Sequence, residues 1–228
     1  MARQESAGSS GSLHRRLTLS LQAFLLVGAG LAVWQGLWLG AVTTFAVVLL
    51  TLAPVLLGKR FNVFIPPEFE AVAGLFIFAT LFLGEVRDYY NRIWWWDITL
   101  HMASGFLLGI IGFLLVHVLN EKEDIELDMK PGFVALFAFL FALGIGTVWE
   151  IFEFTMDQAF GMNMQKAMLG DPSGLTDTMW DLIVDTIGAA VISLAGYRYL
   201  KTAGNESFLE QWIDRFIKGN PRLFRRAG

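Results

Sequence analysis

Long charge-free stretches separated by short charged or aromatic punctuation set the pattern of this chain. Leu17 to Gly58 holds no charged residue across 42 positions. A helix needs about 20 apolar residues to cross a bilayer. The run therefore predicts two membrane helices with a reversal near Trp34-Gln35-Gly36, closed by Lys59 and Arg60. Phe61 to Pro67 cannot be regular helix, and Pro67 suits the first position of the next one. A third span follows over about Glu68 to Glu85. Tyr89-Tyr90 and Trp94-Trp95-Trp96 then mark a membrane–water interface, and a fourth span runs from Asp97 to Leu119. Glu121 to Lys130 is a charged loop. A fifth span runs from Pro131 to about Phe154, and a longer connection covers Asp157 to Thr176. The sixth span runs from Asp177 to Tyr199.

Residues 207–217 follow a different rule. Phe208, Leu209, Trp212, Ile213, Phe216 and Ile217 fall at helical spacing, with Glu210, Asp214, Arg215 and Lys218 opposite or at the edge. This predicts an amphipathic helix on the membrane surface; packing on the protein's own loops gives the same pattern. The expected architecture is all-α: a polytopic bundle of six transmembrane helices plus a C-terminal amphipathic interfacial helix. Residues 1–16 form a disordered tail, 17–200 the membrane domain, and 201–228 an amphipathic, basic tail. No internal repeat is visible.

Composition agrees. The chain is 55% hydrophobic and only 17% charged, against about a quarter charged in soluble domains. The apolar run after His14, Arg15 and Arg16 is too long for the core of a signal peptide. There is no cysteine, which excludes disulfides and thiolate metal sites. The bilayer is the expected partner; nucleic acid is not expected, and a homo-oligomer is compatible with the pattern. Charge matters through its placement. With both termini inside, fourteen of the seventeen Lys and Arg lie in inner segments, leaving Arg87, Arg92 and Lys166 outside. This bias predicts cytoplasmic termini.

That orientation gathers the intramembrane acids at the outer face. Asp97 and His101 are four apart at the start of span four, on one helix face. Glu150, Glu153 and Asp157 close span five within an arc of about 60°. Asp177, Asp181 and Asp185 open span six within about 80°. Ionisable groups in a span are costly and mark function by default. Seven carboxylates with one imidazole need bound cations or protons to compensate them. The donor types suit a divalent ion such as Mg²⁺, Mn²⁺, Ca²⁺, Fe²⁺ or Zn²⁺.

His101, Glu150, Glu153, Asp181 and Asp185 are the expected ligand set, with Asp97, Asp157 and Asp177 as its rim. His101, Glu150 and Asp181 are the candidates for catalysis. Asp177 is equally explained as a first-turn acid at the positive end of its helix, and Asp97 and Asp157 as residues in interfacial water. Gly105, Gly109, Gly112, Gly144, Gly146 and Gly188 are expected to let helices approach closely. His117 lies at the far end of span four and His14 in the tail, both unrelated to the cluster. Phe160, Met162, Met164, Met168 and Leu169 predict an apolar cover ended by a turn at Asp171-Pro172-Ser173-Gly174. Lys166, its sole cation, is read either as a solvated interfacial side chain or as a group that meets an anionic ligand.

Trp-Asp97-xxx-His101-xxx-Gly105, Trp149-Glu150-xx-Glu153 and Asp177-xxx-Asp181-xxx-Asp185-Thr-xx-Gly188 together resemble the YjdF-like family of bacterial inner-membrane proteins. The resemblance covers residues 60–200 best and implies an inner-membrane location without an activity. A weaker likeness is to VanZ-like membrane proteins, through the Asp-rich helix and its Thr-xx-Gly step.

Three functions remain open on the sequence. The first is a divalent-metal pocket facing the periplasm, acting as an enzyme on a lipid or envelope substrate. The second is a cation or proton transporter or channel using the same acids. The third is a non-catalytic scaffold held by hydrogen bonds between acids.

Overall fold

The computed structural model describes residues 2–120, 129–201, 215–216 and 218–221. Eight α-helices are present among these residues: α1 (Ala2–Trp34), α2 (Trp38–Thr51), α3 (Ala53–Phe61), α4 (Pro67–Ile77), α5 (Tyr89–Arg92), α6 (Trp96–Asn120), α7 (Pro131–Phe160) and α8 (Leu175–Lys201). A π-helical segment, Phe78–Val86, continues α4. No strand occurs among the described residues, apart from an isolated bridge between Met168 and Asp171. The predicted all-α class is what is found.

Among the described residues, five helices are long and apolar enough to cross a membrane: Arg16–Trp34, Pro67–Val86, Trp96–Val116, Pro131–Phe160 and Leu175–Lys201. Six were expected from the pattern, and the difference lies in the second. The stretch after the first reversal is divided into α2 and α3 at Leu52. Pro54 explains the break: it has no N–H to donate to the carbonyl of Leu50. The apolar part of α2 that remains, Gly40–Thr51, falls short of a full span. At the N-terminus, α1 already begins at Ala2, upstream of the segment read as the first span. Its Ser/Gly stretch contains no proline to stop a helix entering from Leu17. The amphipathic helix expected over 207–217 falls almost wholly outside the described residues.

The chain divides into two compact units. The first contains Met1–Arg92 with Lys218–Asn220. Its α1–α2 reversal is a Schellman turn. Gly36 takes φ 72°, Leu37 N–H donates to Ala32 O at 2.8 Å, and Gly36 N–H donates to Val33 O at 3.0 Å. The last helical carbonyls are thereby satisfied by a residue that tolerates the left-handed region. Asn62 ends α3 in the same way, with φ 58° and Val63 N–H on Gly58 O. The core of this unit is Leu25, Val47, Val48 and Phe82, with Ile77, Phe78, Leu81, Leu83 and Val86 against it. Phe78 stacks on Phe82 at 5.2 Å, and Phe24 meets both rings edge-on. Asn220 is buried and pairs with Phe64 through both backbone groups. Phe64 N–H donates to its Oδ1 at 2.6 Å, and its Nδ2 donates to Phe64 O at 2.8 Å.

The second unit, Ile93–Ile217 with Pro221–Gly228, is built from α6, α7 and α8. Pro131 starts α7 at its first turn, and Gly161, with φ 64°, ends it. Ile110, Phe113, Val116, Val134, Ala138, Ala142, Ala189 and Ile192 fill the end of this bundle remote from the acids. Leu136, Leu140, Ile151, Val191 and Leu194 face outward. Such an apolar outer surface is what lipid contact requires.

Glycines set how closely these helices run. A Cβ at Gly105 would stand 2.3 Å from the carbonyl oxygen of Asp185, and one at Gly188 would stand 2.2 Å from that of Met102. The two helices therefore touch backbone to backbone, α6 offering one glycine and α8 the other. Gly109 sits under Ile192, and Gly112 against Ala138 and Phe141. The packing role expected for these residues is present. Gly144 differs, because nothing lies within 4 Å of its Cβ position; it faces away from the bundle and does not serve helix approach.

Candidate functional site

All eight residues expected at the site belong to the second unit, at the end where α6 begins, α7 ends and α8 begins. Helical rise places Asp97 one turn before His101, and Asp177, Asp181 and Asp185 on successive turns of α8. The close α6–α8 seam sets their separation, because Gly105 lets α8 approach one turn below His101. The imidazole thus reaches both neighbouring helices.

His101 is the hub, and its two ring nitrogens face different pairs of acids. On one side, Nδ1 is 3.4 Å from Asp185 Oδ2 and 3.6 Å from Glu150 Oε1. On the other, Nε2 is 3.6 Å from Asp97 Oδ1 and 4.0 Å from Asp181 Oδ2. His101, Glu150, Glu153, Asp177, Asp181 and Asp185 are all buried, and Asp181 is 0% exposed. Asp97 is half-buried.

The acids differ in how they are satisfied. Asp185 Oδ1 lies 2.7 Å from Ser104 Oγ, which is also 2.8 Å from the His101 carbonyl oxygen. Glu153 accepts a hydrogen bond from the Trp149 indole at 2.9 Å. Neither oxygen of Glu150 or of Asp181 has a hydrogen bond, nor does Oδ1 of Asp177. A buried acceptor left without a hydrogen bond costs about 1–3 kcal/mol, more when charged. These oxygens are the unsatisfied acceptors of the cluster.

The donor set fits a divalent cation. One ligand atom each from Asp97, His101 and Asp181 lies within 4.8 Å of the others. Ligands that share one small divalent ion at about 2.1 Å stand about 3.0–3.6 Å apart, so small side-chain rotations inward would be needed for the three atoms to share one. Hard oxygen donors with one imidazole suit Mn²⁺, Fe²⁺ or Zn²⁺.

Two positions read as rim on the sequence have other settings. Asp97 stands within the compact three-residue group, and Asp177 is as buried as Asp185. Asp157 accepts the N–H of Met164 at 2.7 Å and of Gln165 at 2.9 Å. It thereby fastens the connection to the end of α7. Asp177 Oδ2 accepts the Lys166 N–H at 2.6 Å, and Gln165 Nε2 donates to Thr178 at 2.7 Å. The connection is thus tied to the start of α8 as well. Lys166 turns its ammonium to the carbonyl of Asn163. In the expected cover, Phe160, Met162 and Leu169 are exposed, while Met164 and Met168 are half-buried. The turn expected at its end is present. Asp171 accepts from Ser173 N–H at 2.8 Å and from Thr176 N–H and Oγ at 3.0 and 2.8 Å.

Sequence reasoning missed Ser104, Gln165 and Thr178. Ser104 had a signal, since it lies three residues after His101 and seven after Asp97, on the same face of α6. Gln165 had none, because its partner is set by loop geometry.

These features define a multi-pass helical membrane protein with a buried cluster of acids around one histidine. Residues 14–202 match the family model described as predicted membrane protein (DUF2238), and the chain belongs to that family. A Thermotoga maritima protein described as an uncharacterized protein is 33% identical over 135 residues, which is 59% of this chain and 64% of that relative. The chain thus spans somewhat under two thirds of the relative's length. No solved structure matches. The matches give the membrane family; they carry neither the YjdF-like nor the VanZ-like label that the motifs resemble.

Proposed function

We propose that this protein is a bacterial inner-membrane protein whose acidic pocket binds a divalent metal ion at the periplasmic face. The single observation that carries the reading is Asp181: wholly buried, without a hydrogen bond on either oxygen, and grouped with Asp97 and His101. The orientation rests on the distribution of Lys and Arg, which favours cytoplasmic termini. In this reading residues 17–200 form the membrane domain, with tails 1–16 and 201–228 inside. The α2–α3 pair supplies the sixth crossing. The motif resemblance to YjdF-like proteins agrees with the location.

The pocket is best suited to hydrolytic chemistry on a lipid or envelope substrate. A divalent ion held there supplies Lewis acidity toward a phosphoryl or carbonyl oxygen. Asp97, His101 and Asp181 hold it. Glu150, buried beside His101 and without a hydrogen bond, is placed to take a proton as general base. Glu153 stays with Trp149 and shapes the pocket wall. The apolar packing of Ile110, Phe113, Val116, Ala138 and Ile192 beyond the acids favours a closed-ended pocket over an ion path.

Elemental analysis of detergent-purified protein, before and after chelation, tests the metal. About one ion per chain is expected in the wild type and none in Asp181→Asn. Equal metal content in the two proteins would sink the proposal.

A further inference from the structure

We infer that Asp185 is a positioning residue rather than a metal ligand, and that it dedicates Nε2 of His101 to the ion. The inference rests on the metal-binding reading above and assigns the two sides of the imidazole.

Four carboxylates surround His101, and they divide evenly between its nitrogens. Asp185 and Glu150 lie on the Nδ1 side, Asp97 and Asp181 on the Nε2 side. Asp185 is fixed from more than one direction. Its Oδ1 is held by Ser104 Oγ at 2.7 Å. The hydroxyl has one proton and a second acceptor, the His101 carbonyl; the charged carboxylate is the stronger of the two. Its Oδ2 rests against Gly146 of α7, where a Cβ would stand only 2.5 Å away. Its backbone is pressed on Gly105. A carboxylate set this way, on a close-packed seam, has little freedom to swing toward an ion. Its Oδ2 has the closest approach to the ring, 3.4 Å from Nδ1, and is placed to accept Nδ1–H.

That bond has a consequence on the far side of the ring. With the proton on Nδ1, the lone pair is on Nε2, between Asp97 and Asp181. These are the two acids that group with His101 at metal-ligand spacing, and Asp181 is the buried carboxylate with no hydrogen bond on either oxygen. A histidine that binds metal through one nitrogen usually donates the other N–H to a carboxylate. Loss of that outer partner typically weakens metal affinity by about 10–100-fold. Ser104, Asp185 and His101 form such a chain, directed at the Asp97–Asp181 side.

Zn²⁺ is the probe, titrated against a chelating dye into the full-length protein in detergent. Asp181→Asn should lose the site. Asp185→Asn should still bind one ion, with affinity lowered about 10–100-fold, and Ser104→Ala should weaken binding in the same direction by less. ¹⁵N spectra of histidine-labelled wild type provide the second readout, with His101→Gln assigning the signals. On Zn²⁺ binding, Nε2 should shift while Nδ1 keeps its proton. This readout does not require any Asp185 variant to fold. The assignment is overturned if Nδ1 takes the ion, if Asp185→Asn loses the ion as completely as Asp181→Asn, or if Asp185→Asn binds as tightly as wild type. Those results leave the metal site standing. A wild type that binds no Zn²⁺, Mn²⁺ or Fe²⁺ removes the metal site, and this inference with it.

Discussion

The first unit buries Leu25, Val47, Val48 and Phe82; the second buries Glu150, Asp177, Asp181, Asp185 and His101 beside its apolar residues. Polar groups inside the first unit mostly close on nearby backbone. Thr44 and Thr51 are buried, and each donates its hydroxyl to a carbonyl within one turn. This is the usual resolution for a hydroxyl in a helix. Its buried acid, Glu68, lies in the first turn of α4, where the helix end favours negative charge. The acids of the second unit are different. They sit in the interiors of α7 and α8 as well as at helix ends, and several oxygens have no hydrogen bond. Local structure alone does not account for them. The lesson is that similar hydropathy can conceal different economies: the first unit leaves one oxygen of Glu68 without a hydrogen bond, while the second gathers five such carboxyl oxygens, on Glu150, Asp177 and Asp181, around one histidine.

The largest test of this contrast is steric. Gly188→Ala places a methyl group on the backbone of Met102 and should destabilise the second unit by about 3 kcal/mol, read from unfolding in detergent. Gly144→Ala, open on all sides, should be neutral or slightly stabilising. If both variants behave alike, the close α6–α8 seam is wrong.

In the first unit, Leu25→Ala should cost about 2–3 kcal/mol by leaving a cavity beside Phe82. The second unit should respond with the opposite sign to loss of a buried group. Asp181→Leu should raise the stability of metal-free protein by about 2 kcal/mol, since buried carboxyl oxygens without a hydrogen bond give way to packing. It should also abolish any stabilisation by added Zn²⁺. A metal-free protein weakened by this change would erase the distinction between the units.

Asn220→Ala removes two hydrogen bonds to Phe64 and should cost about 1–2 kcal/mol. Faster hydrogen exchange at the Phe64 amide is the local readout. The smallest effect concerns Asp171, outside the membrane segments. Hydrogen bonds from Ser173 and then Thr176 hold its carboxyl well below the usual range. Its folded pKa is depressed, so its contribution is present above the ordinary aspartate pKa of about 3.9 and is lost only as pH falls through the lower folded value. Exchange at the Ser173 and Thr176 amides should stay slow at pH 3.5 and quicken in Asp171→Ala. Being exposed, this turn should scarcely alter global unfolding.

Much of this was legible one residue at a time. The α1–α2 reversal follows from Gly36, and the starts of α4 and α7 from Pro67 and Pro131. The ligand-type stripes of α6, α7 and α8 follow from spacings of three and four. The break at Leu52 was also written in the chain, as Pro54, but a run of 42 uncharged residues obscured it. Hydropathy measures length in lipid and is blind to one missing N–H.

Spacing could not rank the acids. Asp97 and Asp185 each share a helix face with other candidates, and the sequence placed one at the rim and the other among the ligands. Their relation to His101 depends on the distance and rotation between α6 and α8, which Gly105 and Gly188 set through contacts between residues about eighty positions apart. Ser104 gains its role only because α8 brings a carboxylate within reach. The sequence by itself determined the helices, their apolar faces and the presence of buried acids, because those rest on local periodicity and the cost of charge in lipid. Only the tertiary structure decided which nitrogen of His101 faces which pair of acids, because that depends on helix packing across the seam.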